Sequence, residues 1–143
     1  MILYLDTSAL VKLYVDEDDA ELVRDTVSKA RLVGTSEIAY VELRSALARR
    51  YREGAIEGVA YRRILRDVEA DWQQLFLIVV NSHVVRDAGG IAEQYHLRAY
   101  DAIHLASSLT LQTRAEEPVT FACCDKPLET SAAAAKLQIL GRP

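Results

Sequence analysis

Residues 2–14 of the chain read ILYLDTSALVKLY, and this stretch decides the fold class. The apolar run at residues 2–5 is typical of a strand that is buried on both faces of a sheet. Residues 6–8 (Asp, Thr, Ser) are of the types that cap the N-terminus of a helix. The apolar residues that follow, up to residue 14, have helical spacing. The chain therefore begins with a buried strand that leads directly into a helix, with Asp6 at the junction.

The same alternation of apolar strands and amphipathic helices continues to the end of the chain. Further strands are predicted at residues 32–33 (closed by Gly34), 76–80, 119–124 and 137–140. Further helices are predicted at residues 20–29, 37–53, 57–75, 84–95, 100–111 and 128–135. Because the strands are apolar throughout, this order predicts an α/β sandwich around a mostly parallel sheet. No repeat or linker divides the sequence, so we expect a single domain over residues 1–143.

Composition narrows the functional classes. The net charge of −4 argues against a protein that binds nucleic acid through its overall charge alone. Local basic patches are still compatible with this net charge. No leader peptide or membrane-length apolar stretch is visible, so a cytoplasmic location is expected. Cys123 and Cys124 are neighbours in a predicted strand, and we expect them to be small buried core residues in a reducing compartment.

Four acidic residues stand alone in apolar surroundings: Asp6, Glu42, Asp101 and Asp125. Burying a carboxylate is costly unless something pairs with it. Asp6 and Asp125 follow predicted strands, and α/β sheets bind ligands beyond the carboxyl ends of their strands. If the four acids meet there, their oxygens would hold a hard divalent cation and form a site for phosphodiester chemistry.

Each acid also has an ordinary structural explanation when it is taken alone. Asp6 would cap the first helix, and Asp101 would cap its helix or form an ion pair near the helix start. Asp125 would occupy a turn before Lys126 and Pro127. Glu42 would form an ion pair with Arg44 or Arg98. We favour the shared site because four separate coincidences are otherwise needed.

Three further polar residues accompany the acids. His104 follows Asp101 by three residues and lies on the same helix face, where it would serve as a general base or as a buried, hydrogen-bonded side chain. We favour the buried role. Thr7 and Ser8 would contact water or phosphate, or would simply cap the first helix.

A basic face is predicted on the third and fourth helices. Tyrosines accompany its arginines, so RNA phosphates and bases would both find partners there. A solvated helix face or a protein interface explains the same pattern, and the sequence leaves these alternatives open. The arginines concerned are Arg44, Arg49, Arg50, Arg52, Arg62, Arg63 and Arg66, and the tyrosines are Tyr40, Tyr51 and Tyr61.

The chain resembles PIN-domain ribonucleases, specifically the VapC-type toxins of bacterial toxin–antitoxin pairs. The segments that carry the resemblance are residues 5–14, the surroundings of Glu42, residues 98–106 and residues 122–128. The resemblance implies a three-layer α/β/α sandwich with a central parallel sheet. It also implies an endoribonuclease that depends on Mg²⁺ or Mn²⁺. If metal-bound water attacks phosphorus in line, the products would carry 5′-phosphate and 3′-hydroxyl ends.

The resemblance assigns the site residues and the partners as well. Asp6 and Asp101 would be the firmest metal ligands, and Glu42 and Asp125 would complete the catalytic pocket directly or through water. The partners implied are an RNA substrate, a second copy of the chain in a homodimer, and a VapB-like antitoxin that forms a larger complex and places a segment near the acids.

Two other functions share part of this sequence pattern. A haloacid-dehalogenase-like phosphatase also has an Asp after its first strand, but it needs a second Asp two residues later, where this chain has Ser8. A non-catalytic PIN-like module would bind RNA or protein without cutting, and the complete set of acids argues against it.

Overall fold

The fold is described from a computed structural model, which covers residues 1–141. The predicted domain boundary at residue 143 lies outside the described residues. The five strands are β1 Ile2–Leu5, β2 Leu32–Ser36, β3 Phe76–Ile78, β4 Val119–Ala122 and β5 Gln138–Ile139. The helices are α1 Thr7–Val11, α2 Ala20–Lys29, α3 Ala39–Arg52, α4 Gly58–Trp72, α5 Ser82–Tyr95, α6 Ala99–Ala115 and α7 Lys126–Ala134.

The strands form one parallel sheet in the order β3-β2-β1-β4-β5, which confirms the predicted α/β class. Alternate side chains of a strand point to opposite faces. Tyr4 of β1 therefore joins a core with α5, α6 and α7, whereas Leu3 and Leu5 join a second core with α1 to α4. A central sheet with a helical layer on each face is the expected three-layer α/β/α sandwich.

The topology of this sheet positions the site. After β1 the chain builds outward through β2 and β3, and it then returns to place β4 on the other side of β1. The strand order therefore reverses between β1 and β4, and such switch points open a crevice at the carboxyl ends of the strands. Asp6 follows β1 directly, and Asp125 lies three residues beyond the end of β4.

The prediction that Gly34 closes the second strand is wrong, because β2 continues through Gly34 to Ser36. A Cβ atom at Gly34 would lie 2.9 Å from Leu111 Cδ2 and 3.3 Å from the Phe76 carbonyl oxygen. The missing side chain therefore lets α6 pack closely on the sheet. Glycine serves here as a packing residue rather than as a strand terminator.

None of the helices within residues 1–141 combines the length and apolarity that crossing a membrane requires.

The close approach at Gly34 predicts a specific cost for added volume. Gly34→Ala should lower the free energy of unfolding by about 1–3 kcal/mol, because Leu111 and the neighbouring strand must shift. Gly89→Ala is the matched control, because it lies within α5 with no atom within 4 Å of the added carbon. That substitution should stabilise the protein by about 0.5–1 kcal/mol. Denaturant unfolding measures both, and equal effects of the two substitutions would contradict the packing role.

Candidate active site

One pocket of about 250 Å³ is lined by all four acids that the sequence singled out. Asp6 caps α1, Glu42 lies in the first turn of α3, Asp101 lies in the first turn of α6, and Asp125 caps α7. Helix N-termini favour negative charge, so each carboxylate stands where the backbone tolerates it. The pocket is also lined by Thr7, Ser8, Arg98, His104 and Cys124.

Asp6 is the most deeply buried of the four carboxylates, with only 5% of its surface exposed. Its Oδ1 atom accepts hydrogen bonds from the Ser8 hydroxyl at 2.7 Å and from the Ala9 amide at 2.9 Å. The Ser8 hydroxyl in turn accepts a hydrogen bond from the Cys124 amide at 3.0 Å, which ties the β1 end of the pocket to the β4 end. The capping role expected for Asp6 is therefore confirmed and coexists with its place in the pocket.

The pKa of Asp6 is higher than that of an ordinary carboxyl group. Burial raises the pKa of Asp6 to about 6, and the charge of Asp101 adds to the rise. The positive charge of His104 and the hydrogen bonds from Ser8 and Ala9 oppose it. A nearby cation stabilises the ionised form of a carboxylate that is buried beside another carboxylate.

Glu42 is held by hydrogen bonds rather than by the expected arginine. The Thr7 hydroxyl donates to Glu42 Oε1 at 2.8 Å, and the same oxygen lies 2.8 Å from His104 Nε2. The predicted ion pair of Glu42 with Arg44 or Arg98 is wrong, because Arg44 binds Glu69 instead. Burial works to raise the pKa of Glu42, but the hydrogen bond and charge of His104 and the Thr7 hydroxyl lower it.

His104 is buried, with 2% of its surface exposed, and it fills the space between Glu42 and Tyr4. Its Nδ1 atom lies 2.8 Å from the Tyr4 hydroxyl. A carboxylate only accepts hydrogen bonds, so Nε2 of His104 carries the proton that points toward Glu42. This confirms the buried, hydrogen-bonded role of His104, which orients Glu42.

Arg98 was missed as a site residue, although its spacing of three residues from Asp101 on a helix start was a usable signal. Its Nε atom donates to Asp101 at 3.1 Å, and its Nη2 atom donates to Asp125 at 3.4 Å. The side chain is 78% exposed, so these ion pairs are weak and easily broken. Arg98 thus bridges two acids at the mouth of the pocket.

The carboxylate oxygens match the chemistry of Mg²⁺ or Mn²⁺, which are hard ions that prefer oxygen ligands. Within residues 1–141, however, no three Asp, Glu, His or Cys side chains converge closely enough to hold an ion in their present conformations. Each acid is engaged by a partner within the protein: Ser8 binds Asp6, His104 binds Glu42, and Arg98 bridges Asp101 and Asp125. The four carboxylates are chemically suitable metal ligands, and movement of the exposed Arg98 would free Asp101 and Asp125.

The expectation that both cysteines are buried core residues is wrong for Cys124. β4 ends at Ala122, so both cysteines lie in the loop that follows it. Cys123 is half-buried, and burial raises the pKa of its thiol to about 12. Cys124 is exposed and lines the acidic pocket.

The raised pKa of Asp6 predicts how stability depends on pH. In the unfolded chain this carboxyl ionises near its ordinary value of 3.8, whereas in the folded protein it ionises near 6. The folded state therefore binds the extra proton, and stability from this group is lost as the pH rises from about 4 to about 6. Asp6→Asn keeps a capping oxygen and removes the charge, so it should stabilise the metal-free protein at neutral pH by up to about 3 kcal/mol.

Thermal and denaturant unfolding in EDTA at pH 7 and near pH 4 measures this effect. The stabilisation by Asp6→Asn should largely disappear at the lower pH, where the carboxyl is protonated in both states. Equal stabilities of the two proteins at pH 7 would contradict a buried, destabilising charge.

Comparison with known proteins agrees with this geometry. The PIN domain family matches residues 3–115. Ribonuclease VapC45 of Mycobacterium tuberculosis is 30% identical over 142 residues, which cover 96% of this chain and 94% of the relative. Two solved structures share the fold. FitAcB from Neisseria gonorrhoeae has a TM-score of 0.69 at 20% identity and covers 99% of this chain and 97% of its own.

The second structure is VapBC2 from Rickettsia felis bound to a DNA fragment from their promoter. It has a TM-score of 0.65 at 13% identity, and the match covers 97% of each chain. Asp125 lies beyond the residues that the family matches, but the alignment with VapC45 spans nearly the whole chain. The chain therefore belongs to the PIN domain family, among its VapC-type ribonucleases.

Proposed function

We propose that the chain is a metal-dependent endoribonuclease that hydrolyses RNA phosphodiester bonds and acts as the toxin of a VapBC-type pair. The observation that carries this proposal is the shared pocket of four acids that are far apart in sequence, at the switch point of a parallel sheet. The 30% identity to a protein named as a ribonuclease supports the choice of RNA as substrate.

Asp6 and Asp101 are the proposed principal metal ligands, and Glu42 and Asp125 complete the pocket. When bound, Mg²⁺, or Mn²⁺ in its place, would activate water and neutralise charge on the phosphate oxygens. The carboxylate of Asp6 is held rigidly by Ser8 and the α1 amide, which fixes the direction of its oxygens. Metal ligands are commonly oriented by such outer hydrogen bonds.

Glu42 has a second proposed task. Thr7 and His104 keep it ionised and hold one of its oxygens, which leaves the other free to accept a hydrogen bond from the attacking water. Water would attack phosphorus in line with the departing 3′ oxygen and leave a 5′-phosphate and a 3′-hydroxyl. Arg98 must leave Asp101 and Asp125 before these acids bind a cation, and its guanidinium is then free for a phosphate oxygen.

The proposed biological role is growth arrest through cleavage of cytoplasmic RNA, reversed by a VapB-like antitoxin. The fold that the chain shares with VapBC2 from Rickettsia felis supports this role. A homodimer is part of the same proposal. An antitoxin that places a cation or a peptide segment among the acids would compete with the metal for the same carboxylates.

Replacement of a principal ligand tests the proposed chemistry. Asp101→Asn should reduce Mg²⁺-dependent cleavage of a long RNA by more than about 100-fold, because changes to outer partners of metal ligands alone cost about 10–100-fold. Asp6→Asn should have the same effect while the protein remains folded. Asp87→Asn is the matched control on α5, since Asp87 is exposed and does not line the pocket, and it should leave cleavage unchanged.

Gel analysis of RNA fragments and of their end groups measures the outcome, with EDTA as the metal-free arm. Undiminished cleavage by Asp101→Asn, or by the native protein in EDTA, would refute the mechanism. Folded protein that binds RNA but never cuts it under any divalent ion would favour a non-catalytic PIN-like module.

A further inference from the structure

Positive charge is concentrated in one segment of this acidic protein. Residues 44–66, which span most of α3 and the first half of α4, hold seven of the 17 basic residues but only two of the 21 acidic ones. The rest of the chain is strongly acidic, and the proposed active site consists of carboxylates. An RNA strand that approached the pocket alone would meet repulsion, so its binding requires a cationic surface elsewhere.

Two of these seven arginines serve the fold. Arg44 forms an ion pair with Glu69 at 2.9 Å, and Arg50 forms one with Glu17 at 3.1 Å. The other five are exposed and form no ion pair with any residue in the described part of the chain, residues 1–141. We call these five residues the arginine face: Arg49, Arg52, Arg62, Arg63 and Arg66.

Helical spacing places the arginine face on one outer surface. Arg66 follows Arg62 by four residues and Arg63 by three, so Arg66 shares a side of α4 with both. Arg49 and Arg52 form a corresponding stripe on α3. Both helices bury their opposite sides in the same hydrophobic core, so both stripes face solvent.

An aromatic pair joins the two helices that carry the arginine face. The rings of Tyr51 and Tyr61 stack at 4.5 Å between centroids and at 10° between planes, and they join the end of α3 to the start of α4. Tyr51 keeps 44% of its surface exposed, and Arg52 is its neighbour in sequence. A rigid exposed ring beside free guanidinium groups offers a stacking surface for a nucleic-acid base.

The arginine face is connected to the pocket through α3. Glu42 and Arg49 are seven residues apart, so they lie on nearly the same side of the helix and about 10 Å apart along its axis. A strand that leaves the acidic pocket along this side of α3 therefore reaches Arg49 within two helical turns.

From these observations we infer that the arginine face binds the RNA backbone and holds the substrate on one side of the cleavage pocket. This inference rests on the proposed ribonuclease function. An acidic protein partner is the competing occupant, but protein interfaces have an apolar centre. In α3 and α4 the exposed large hydrophobic residues are only Val41, Tyr51 and Val59. Unpaired arginines around a stacked tyrosine pair match RNA phosphates and bases better.

The test compares two triple variants that remove equal charge. Arg62→Gln, Arg63→Gln and Arg66→Gln together alter the arginine face. Arg86→Gln, Arg114→Gln and Lys136→Gln together remove three exposed charges from elsewhere on the protein. RNA binding is measured in EDTA as a function of salt, and cleavage of a long unstructured RNA is measured with Mg²⁺. Turnover of bis(p-nitrophenyl) phosphate, which is too small to reach the arginine face, reports on the pocket alone.

The arginine-face variant should bind RNA at least about tenfold more weakly and raise KM with kcat unchanged, as expected for lost phosphate contacts. The slope of log affinity against log salt should decrease by about 2, at about 0.7 for each lost contact with a single strand. The control variant should retain native binding, and both variants should turn over the small phosphodiester normally.

Native RNA affinity and salt dependence in the arginine-face variant would overturn the inference, as would an equal loss in the control variant. Intact RNA binding with loss of affinity for polyglutamate would assign the surface to an acidic protein and would also overturn it. A native protein that binds RNA through this surface but never cleaves it would contradict the proposed function alone, because binding is measured without metal.

Discussion

The accumulation of negative charge at the carboxyl ends of β1 and β4 is the constraint on which the rest of the site depends. Asp6 is buried, and burial together with Asp101 raises its pKa to about 6, so the folded protein pays for keeping this carboxyl ionised at neutral pH. The surrounding groups reduce that cost. Ser8 and the α1 amide bind Asp6, His104 and Thr7 bind Glu42, and Arg98 bridges Asp101 and Asp125.

The hydrogen bonds and ion pairs that stabilise the four carboxylates differ in how firmly they are held. The contacts to Asp6 and Glu42 come from buried or half-buried groups that are fixed by β1, α1 and α6, so they orient the carboxylates permanently. The contacts to Asp101 and Asp125 come from a single exposed arginine. In the proposed function, a divalent cation would displace this arginine without disturbing the core, because exposed ion pairs contribute little to stability.

Charge is divided between two regions of the molecule. The pocket holds the acids that a cation needs, and the arginine face holds the positive charge that a polyanion needs. Placing both charges in one cleft would let them neutralise each other, as Arg98 already does with two acids. In the proposed function, separation along α3 would keep the acids available for metal while the substrate is held a short distance away.

The sequence predicted the α/β class because apolar strands alternate with amphipathic helices, and it singled out the four acids because each lies in mostly apolar surroundings and outside any run of charged residues. The predictions from sequence were wrong at positions whose role is set by tertiary contacts. Gly34 was predicted to end a strand, but its lack of a side chain instead makes room for Leu111. The partner of Glu42 could not be read from the chain, because His104 reaches it across 62 residues through the packing of α6 on β1. Cys124 was misplaced because β4 ends two residues before it, at a boundary that sequence patterns locate poorly.

The most direct measurement for the central claim is a crystal structure of the protein soaked in Mn²⁺, with the ion located by its anomalous scattering. The account predicts a strong peak in the acidic pocket, bound by oxygens of Asp6 and Asp101, with Arg98 displaced from Asp101 and Asp125. A peak elsewhere, or an acidic pocket that stays without a peak while Arg98 keeps both ion pairs, would contradict it.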